Sequence, residues 1–144
     1  MPFETSRLIP ASPAQVYAAF SDPERLARWW GPAGFSNTFR ACELRSGGRW
    51  SFVMHGPDGK DYPNDSVFAE LVPGQRIVIE HASLPRYRLS ISLTAQDGGT
   101  RVDWSQAFED AKVAAAIAPI VVPANEQNLD RWAAEVLAAP GASA

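Results

Sequence analysis

Arg28-Trp29-Trp30-Gly31-Pro32-Ala33-Gly34-Phe35 is the stretch of this sequence that decides the fold. Adjacent residues on a helix point about 100° apart, so two neighbouring tryptophans cannot occupy the same place in a core. Gly31 and Pro32 are typical of a helix end. We therefore predict a short helix that ends beside a turn, with Trp30 either a wall of an apolar pocket or a packing residue.

Two helix starts precede this stretch. Ser12 with Pro13 and Gln15 has the spacing of a capped helix start, and Asp22 before Pro23 repeats the signal. Residues 3–9 before them are typical of a strand. The sequence thus predicts one strand followed by two short helices.

Beyond the stretch, apolar residues alternate with polar ones and turns recur about every ten residues, which indicates an antiparallel meander. Asp58-Gly59, Pro73-Gly74 and Gly98-Gly99 are typical turn pairs. The sequence does not decide which side chains of residues 62–72 face inward. The alternating set that contains Phe68 and the one that contains Val67 both fit the inner face. The strands are predicted at residues 49–55, 62–72, 76–82, 88–95 and 100–108.

An alanine-rich segment, residues 110–139, predicts a C-terminal helix. Leu129, Trp132 and Val136 form an apolar stripe on it. Pro119 and Pro123 are expected to break or kink its first part, so the well-formed helix is predicted over residues 123–137. The architecture that follows is α+β: a curved antiparallel sheet of about seven strands wraps around this helix, with the two short helices closing one end. We expect one domain over residues 1–139 and a frayed tail over residues 140–144.

Composition excludes several classes of function. The 144 residues carry a net charge of −3, with 46% apolar and 20% charged residues, which argues against nucleic acid as a partner. No signal peptide and no membrane-spanning run is apparent, so we expect a cytoplasmic protein with no membrane partner. Two histidines and one cysteine lack metal-ligand spacing, and no phosphate-binding glycine loop occurs. We therefore expect no metal and no cofactor.

Several motifs of this sequence are similar to those of a known superfamily, and together they span nearly the whole chain. The resemblance is to the START-like (SRPBCC) helix-grip superfamily and, within it, to bacterial proteins similar to the activator of the heat-shock protein 90 ATPase. It implies the helix-grip fold; relatives include carriers of apolar small molecules, polyketide cyclases, a self-sacrificing antibiotic-resistance protein and chaperone activators. The matching motifs are Ser12-Pro13-Ala14-Gln15-Val16-Tyr17, Asp22-Pro23-Glu24-Arg25-Leu26, Trp29-Trp30-Gly31-Pro32, Gly34-Phe35, Gly47-Gly48-Arg49-Trp50, Met54-His55-Gly56-Pro57-Asp58-Gly59, Gly99-Thr100-Arg101-Val102 and Glu126-Gln127-Asn128-Leu129-Asp130-Arg131.

One position departs from the family pattern. Relatives often carry Gly-Trp before the Glu-Gln-Asn-Leu run, whereas this chain has Ala124 and Asn125. Asn125 lies four residues before Leu129, on the predicted inward stripe. An amide in place of a large aromatic would enlarge the interior and add a hydrogen-bonding group.

The predicted site is an apolar cavity between the sheet and the C-terminal helix. Aromatic and aliphatic side chains would line it, and a few polar groups would orient a ligand. His81 shares a face with Ile77 and Ile79 and is either a cavity acid–base group or a partly buried histidine bonded to the backbone. The predicted ligand-binding residues are Trp30, Trp50, Phe52, Met54, Tyr62, Phe68, Ile79, His81, Ile91, Trp104, Gln106, Phe108 and Asn125.

Three functions remain open at this point. The first is a small-molecule binding protein for an apolar or aromatic ligand, driven by burial of apolar surface. The second is a cyclase-like enzyme that moves protons with His81 and either Asn125 or Gln106. The third is a module that activates a chaperone ATPase through its outer surface. The chain is expected to be a monomer or a homodimer.

Overall fold

The structure, a computed structural model, describes residues 2–138. The predicted frayed tail, residues 140–144, lies outside the described residues. Within them the chain forms seven strands and three helices. In chain order these are β1 (Phe3–Ile9), α1 (Pro13–Ser21), α2 (Pro23–Trp29), β2 (Ser36–Cys42), β3 (Gly48–His55), β4 (Asp61–Val72), β5 (Arg76–His81), β6 (Tyr87–Gln96), β7 (Gly99–Phe108) and α3 (Ala111–Ala138).

The seven strands form one antiparallel sheet in the order β1-β7-β6-β5-β4-β3-β2. Strands β2 to β7 follow each other as a meander, and β1 pairs with the last strand, for example Thr5 with Trp104. The curved sheet holds α3 on its inner face, with α1 and α2 inserted after β1. The predicted α+β helix-grip architecture is confirmed.

The predicted helix starts are confirmed in detail. The Ser12 hydroxyl accepts from the Gln15 backbone N–H, and the Gln15 side chain accepts from the Ser12 N–H. The Asp22 carboxylate caps α2 by accepting from Glu24 N–H at 3.0 Å. Trp30 is the C-cap residue of α2 and has extended backbone angles. The helix therefore stops between the two tryptophans.

A β-bulge decides which face of β4 points inward. Ser66 and Phe68 face the interior opposite His81 and Ile79, but the register shifts between Phe68 and Glu70. After the shift Leu71 pairs with Ile77 and faces inward too. The extra residue of the bulge reverses the alternation of side chains along β4. The set that contains Phe68 therefore faces inward before the bulge, and the set that contains Leu71 faces inward after it.

The predicted start of the C-terminal helix is wrong. α3 is continuous from Ala111, with Pro119 and Pro123 inside it. Each proline removes one backbone donor, which leaves the carbonyls of Ala115 and Pro119 without their usual helical partner. Ala115, Pro119 and Pro123 are all exposed, so water can bond to the freed carbonyls. Both prolines lie on the solvent side, which makes them tolerable within the helix.

Both neighbouring tryptophans are buried, and they lie in different places. The Trp29 ring stacks on Trp132 of α3, with centroids 4.7 Å apart and an interplanar angle of 4°. Trp30 instead contacts the sheet, with its centroid 4.9 Å from that of Trp50 and 6.2 Å from that of Trp104. Trp30 is 5% exposed and packs within this aromatic cluster.

The turn after α2 is hydrogen-bonded to α3. Arg131 donates to the carbonyls of Arg28, Trp30, Gly31, Pro32 and Phe35 over distances of 2.6–3.3 Å. These carbonyls include helix-terminal groups that lack intrahelical partners, and the positive guanidinium complements the negative end of the α2 dipole.

Two amides complete this contact, which we call the turn clasp (residues 127–131 of α3 against residues 28–35). Asn128 Oδ1 accepts from Gly31 N–H at 3.2 Å, and Gln127 Oε1 accepts from Ala33 N–H at 3.1 Å. Two of the motifs that carry the family resemblance therefore bind each other. In this chain they hold α3 against the segment that connects α2 to β2.

Across residues 2–138, no helix combines the length and the apolar character needed to cross a membrane.

Candidate functional site

Four rings form a row across the ends of four strands. The His81 ring stacks on Tyr87 at 4.6 Å, Tyr87 lies 5.2 Å from Phe108, and Phe108 meets Phe3 edge-on at 5.8 Å. Strand register produces this order, because His81 pairs with Tyr87 and Tyr87 with Phe108. Tyr87, Phe108 and Phe3 are only partly buried. We call these four residues the aromatic row.

The first half of α3 has an apolar face that the rest of the protein covers only in part. Its inward stripe is buried from Asn128 onward, where it consists of Asn128, Leu129, Trp132 and Val136. Toward the N-terminus the same stripe continues at helical spacing, yet no residue from 111 to 127 is buried. This half-exposed stripe consists of Ala114, Ile117, Ala118, Val121 and Asn125. Two alanines in it leave room that larger side chains would fill.

Two cavities lie between the strand ends and α3, and each is lined by one ring of the aromatic row. One of about 460 Å³ lies where Phe108 and Leu84 approach Val113. The other, of about 200 Å³, lies between Phe3 and Thr5 of β1 and residues 122–126 of α3. We refer to these two cavities, which have Phe108 and Phe3 on the sheet side and residues 113–126 of α3 on the other, as the row–helix cleft. Its larger cavity lies within the range of typical ligand sites, about 300–1,000 Å³.

A more open groove of about 570 Å³ lies at the same strand ends. Three residues of the aromatic row, His81, Tyr87 and Phe108, line it at one side. The rest of its lining includes one rung on the outer face of the sheet, Val67, Glu80, Arg88 and Ala107. Glu80 and Arg88 form an ion pair across it. This charged outer groove is less suited to an apolar ligand than the cleft.

His81 is held by two carbonyl oxygens. Its Nδ1 lies 2.8 Å from Pro85 O and its Nε2 lies 2.6 Å from Asn64 Oδ1. Asn64 Nδ2 in turn donates to Tyr62 O at 2.8 Å, which fixes the amide with its oxygen toward the imidazole. Burial lowers the pKa of His81 below its ordinary value, against raising contributions from bonds to Pro85 and Ser83 and from the charge of Asp65.

The neighbouring phenol is also kept uncharged. Burial raises the pKa of Tyr87 far above its ordinary value. The ring therefore presents a neutral aromatic surface at physiological pH. Burial favours the neutral form of both rings, whereas the oxygens at both nitrogens of His81 favour its protonated form.

An amide pair links the sheet to the helix inside the cleft. Asn125 Nδ2 donates to Gln106 Oε1 at 3.0 Å. Gln106 is 7% exposed, and Asn125 lines the smaller cavity. This bond uses one polar atom of each amide and leaves Gln106 Nε2 and Asn125 Oδ1 for another partner.

The structure divides the predicted site residues into three groups. Phe108 and Asn125 line the cleft, Gln106 is hydrogen-bonded to Asn125, and His81 lines the open groove at the same strand ends. Met54 and Tyr62 lie at the far end of β3 and β4, where Tyr62 is 41% exposed and donates to Asp58. The others pack in the interior beneath the cleft, each no more than 5% exposed; they are Trp30, Trp50, Phe52, Phe68, Ile79, Ile91 and Trp104.

Sequence reasoning missed part of the cleft. Tyr87 lies one residue before the predicted strand 88–95, although it continues the alternation of Leu89 and Ile91. Phe3 continues the inward alternation of β1. Residues 113–122 were missed because the prolines were expected to disrupt the helix there. Extending the alternation of residues 88–95 by one step would have found Tyr87, whereas Phe3 already lay in the predicted strand 3–9 and was not assigned to the site.

Other chemistry has little support among residues 2–138. No group of three metal-ligating side chains occurs there. Burial raises the pKa of the Cys42 thiol to about 11, so the reactive thiolate is scarce at neutral pH. The cleft is therefore suited to binding through shape, apolar contact and a few hydrogen bonds.

The chain belongs to the family of Activator of Hsp90 ATPase homolog 1-like proteins, whose profile matches residues 10–136. Its fold is similar to that of a Chromobacterium violaceum protein (25% identity, 94% of this chain and 96% of that one, TM-score 0.79). A Nitrosomonas europaea protein is also similar (19% identity, 95% and 94% covered, TM-score 0.86). So is an AHSA1-like protein from Aeromonas hydrophila (22% identity, 96% and 93% covered, TM-score 0.75). A comparison with curated proteins gave no match.

Proposed function

We propose that this protein binds a small apolar or aromatic molecule in the row–helix cleft. The observation that carries the proposal is the half-exposed stripe of α3. The same helical face is fully buried from Leu129 to Val136 but stays open beside the aromatic row. A ligand inserted there would bury this apolar surface, and each Å² removed from water contributes about 25 cal/mol.

The enzymatic alternative has weaker support. Both ring nitrogens of His81 are occupied, one by Pro85 O and one by the Asn64 amide. A proton-transfer group needs a nitrogen within reach of the substrate. His81 is therefore better suited to orienting the aromatic row than to catalysis.

A fluorescent probe tests the binding proposal. N-phenyl-1-naphthylamine is neutral, and its emission rises when it leaves water for an apolar site. We expect saturable binding to the wild-type protein. Ala118→Trp places an indole in the cleft and should reduce binding at least tenfold.

Ala116→Trp is the matched control, because Ala116 lies on the exposed side of the same helix turn. It should bind the probe as the wild type does. Asn125→Trp is a second blocking variant, and it introduces the residue that relatives often carry. Equal binding by all three variants, or no binding by the wild type, would overturn the proposal.

A further inference from the structure

Two indole N–H groups in the interior have no hydrogen-bond partner. Trp50 Nε1 and Trp104 Nε1 are buried without a polar contact. The corresponding donors of Trp29 and Trp132 are bonded to Ala19 O and Val16 O. A buried donor without a partner costs about 1–3 kcal/mol, so each orphan needs an explanation.

The two orphans have different surroundings. Rings surround Trp50: Phe52 stacks on it at 4.4 Å and Phe68 at 5.1 Å, and Phe39 meets it edge-on. Trp104 has one ring neighbour, Trp30, and lies two residues from Gln106 on the inner face of β7. Trp104 is therefore the orphan beside other polar groups.

Strand register places Trp104 and Gln106 one strand behind residues that line the smaller cavity, while neither of the two lines it. That cavity of about 200 Å³ is lined by Phe3 and Thr5, whose cross-strand partners are Gln106 and Trp104. Its volume exceeds the roughly 150 Å³ of an engineered apolar cavity that holds benzene. A ring system of one or two rings has the matching size.

We propose, resting on the function proposed above, that the ligand enters past Phe3 and Thr5 and carries a neutral carbonyl oxygen that accepts from Trp104 Nε1 and Gln106 Nε2. Both groups are donors, and an acceptor on the ligand would satisfy them. The Gln106–Asn125 bond leaves the second donor free and fixes the direction of the amide. The ligand class is thus an aromatic ketone or a related carbonyl compound.

Charge at the cavity favours a neutral acceptor over a carboxylate. Glu4 and Glu126 line the cavity. The nearby cation, Arg7, is engaged by Glu126 and Asp130. A buried carboxylate ligand would lack a free positive partner and would be repelled by these acidic side chains.

A matched set of probes tests the proposal: indane, 1-indanone and indane-1-carboxylate. The ketone and the hydrocarbon share one skeleton, so the ratio of their dissociation constants isolates the carbonyl. We expect that ratio to shift against the ketone by about three- to tenfold in Trp104→Phe, which corresponds to one neutral hydrogen bond. The carboxylate should bind more weakly than the ketone.

Trp132→Phe is the matched control, because its indole N–H already has a partner. It should leave the ratio within about twofold of the wild-type value, the scale of a coupling near zero. In the wild-type protein, 1-indanone should move the indole ¹H resonance of Trp104 downfield, whereas those of Trp29 and Trp132 should stay in place.

The possible results separate the two proposals. If neither indane nor 1-indanone binds, the proposed function fails. If both bind and Trp104→Phe leaves the ratio of their dissociation constants unchanged, the carbonyl assignment fails and the binding function stands. The same conclusion follows if indane moves the Trp104 resonance as far as 1-indanone does. The resonance measurement uses the wild-type protein, so it decides the matter even if Trp104→Phe does not fold.

Discussion

Replacing Arg131 by methionine removes every donor of the guanidinium from the turn clasp while keeping an apolar side chain of similar length. In the wild type, Nη1 and Nη2 make four contacts of 3.0 Å or less, to Arg28, Gly31, Pro32 and Phe35. Their carbonyls would lose a charged donor at a partly buried site. At about 1 kcal/mol for each bond, the free energy of unfolding should fall by about 4 kcal/mol.

The same reasoning gives a shift that calorimetry can measure. For a chain of this length, about 1 kcal/mol corresponds to about 2–4 °C in Tm, so Arg131→Met should lower Tm by about 8–16 °C. Burial lowers the pKa of Arg131, the direction that partial removal of a charge from water produces. The expected loss therefore uses about 1 kcal/mol for each bond and not the larger value of an exposed charged donor. Urea titration followed by tryptophan fluorescence provides an independent value.

Arg28→Met is the control substitution. Arg28 also binds α3, but through an exposed ion pair with Glu135. Such pairs contribute about 0–1 kcal/mol. If Arg131→Met destabilises the protein by no more than Arg28→Met does, the turn clasp does not hold α3 against the segment that connects α2 to β2 and our reading of the family motifs is wrong.

Three further outcomes are expected. Because burial lowers the pKa of His81 in the folded state, the unfolded chain binds this proton more readily, and the free energy of unfolding should fall as the pH drops below about 6.5. In urea titrations His81→Gln should lose this dependence of stability on pH, and His55→Gln should keep it. Gly48→Ala should destabilise more than Gly59→Ala in thermal unfolding, since a new Cβ at Gly48 would meet the backbone oxygen of Glu43 at 1.9 Å, whereas at Gly59 it would meet no atom within 4 Å; equal losses would contradict this. Pro119→Ala should stabilise the protein by about 1–3 kcal/mol in urea, because it restores a helical donor at an exposed position, and no gain would show that the proline shapes α3.

Local signals predicted the sheet, the turns and the short helices, because each depends on neighbouring residues. Capping at Ser12 and Asp22 is one example, since the side chain and the backbone group it binds are two or three residues apart. The bulge after Phe68 has no comparable signal. A bulge depends on the partner strand, and alternation within one strand does not reveal it.

The start of α3 was mispredicted for a related reason. The cost of a proline in a helix depends on whether its freed carbonyl reaches water, and exposure is a property of the folded chain. Pro119 and Pro123 both lie on the exposed side. The sequence gives their spacing of four residues, which places them on one face, but it does not show which face that is.

The candidate site was predicted only in part. Phe108, His81, Gln106 and Asn125 followed from strand and helix periodicity. The aromatic row needed the register of β5, β6 and β7, which brings the three strand ends together. Trp30 and Trp50 pack against each other in the core, and their contact with a ligand stays a prediction.

The central claim is that an apolar molecule contacts the half-exposed stripe of α3. Intermolecular nuclear Overhauser effects between indane and methyl-labelled protein measure this contact directly. We predict cross-peaks to the methyl groups of Ile117, Ala118 and Val121. Cross-peaks to the outer methyls of Ala116 and Ile120 instead, or no cross-peaks at saturating indane, would contradict it.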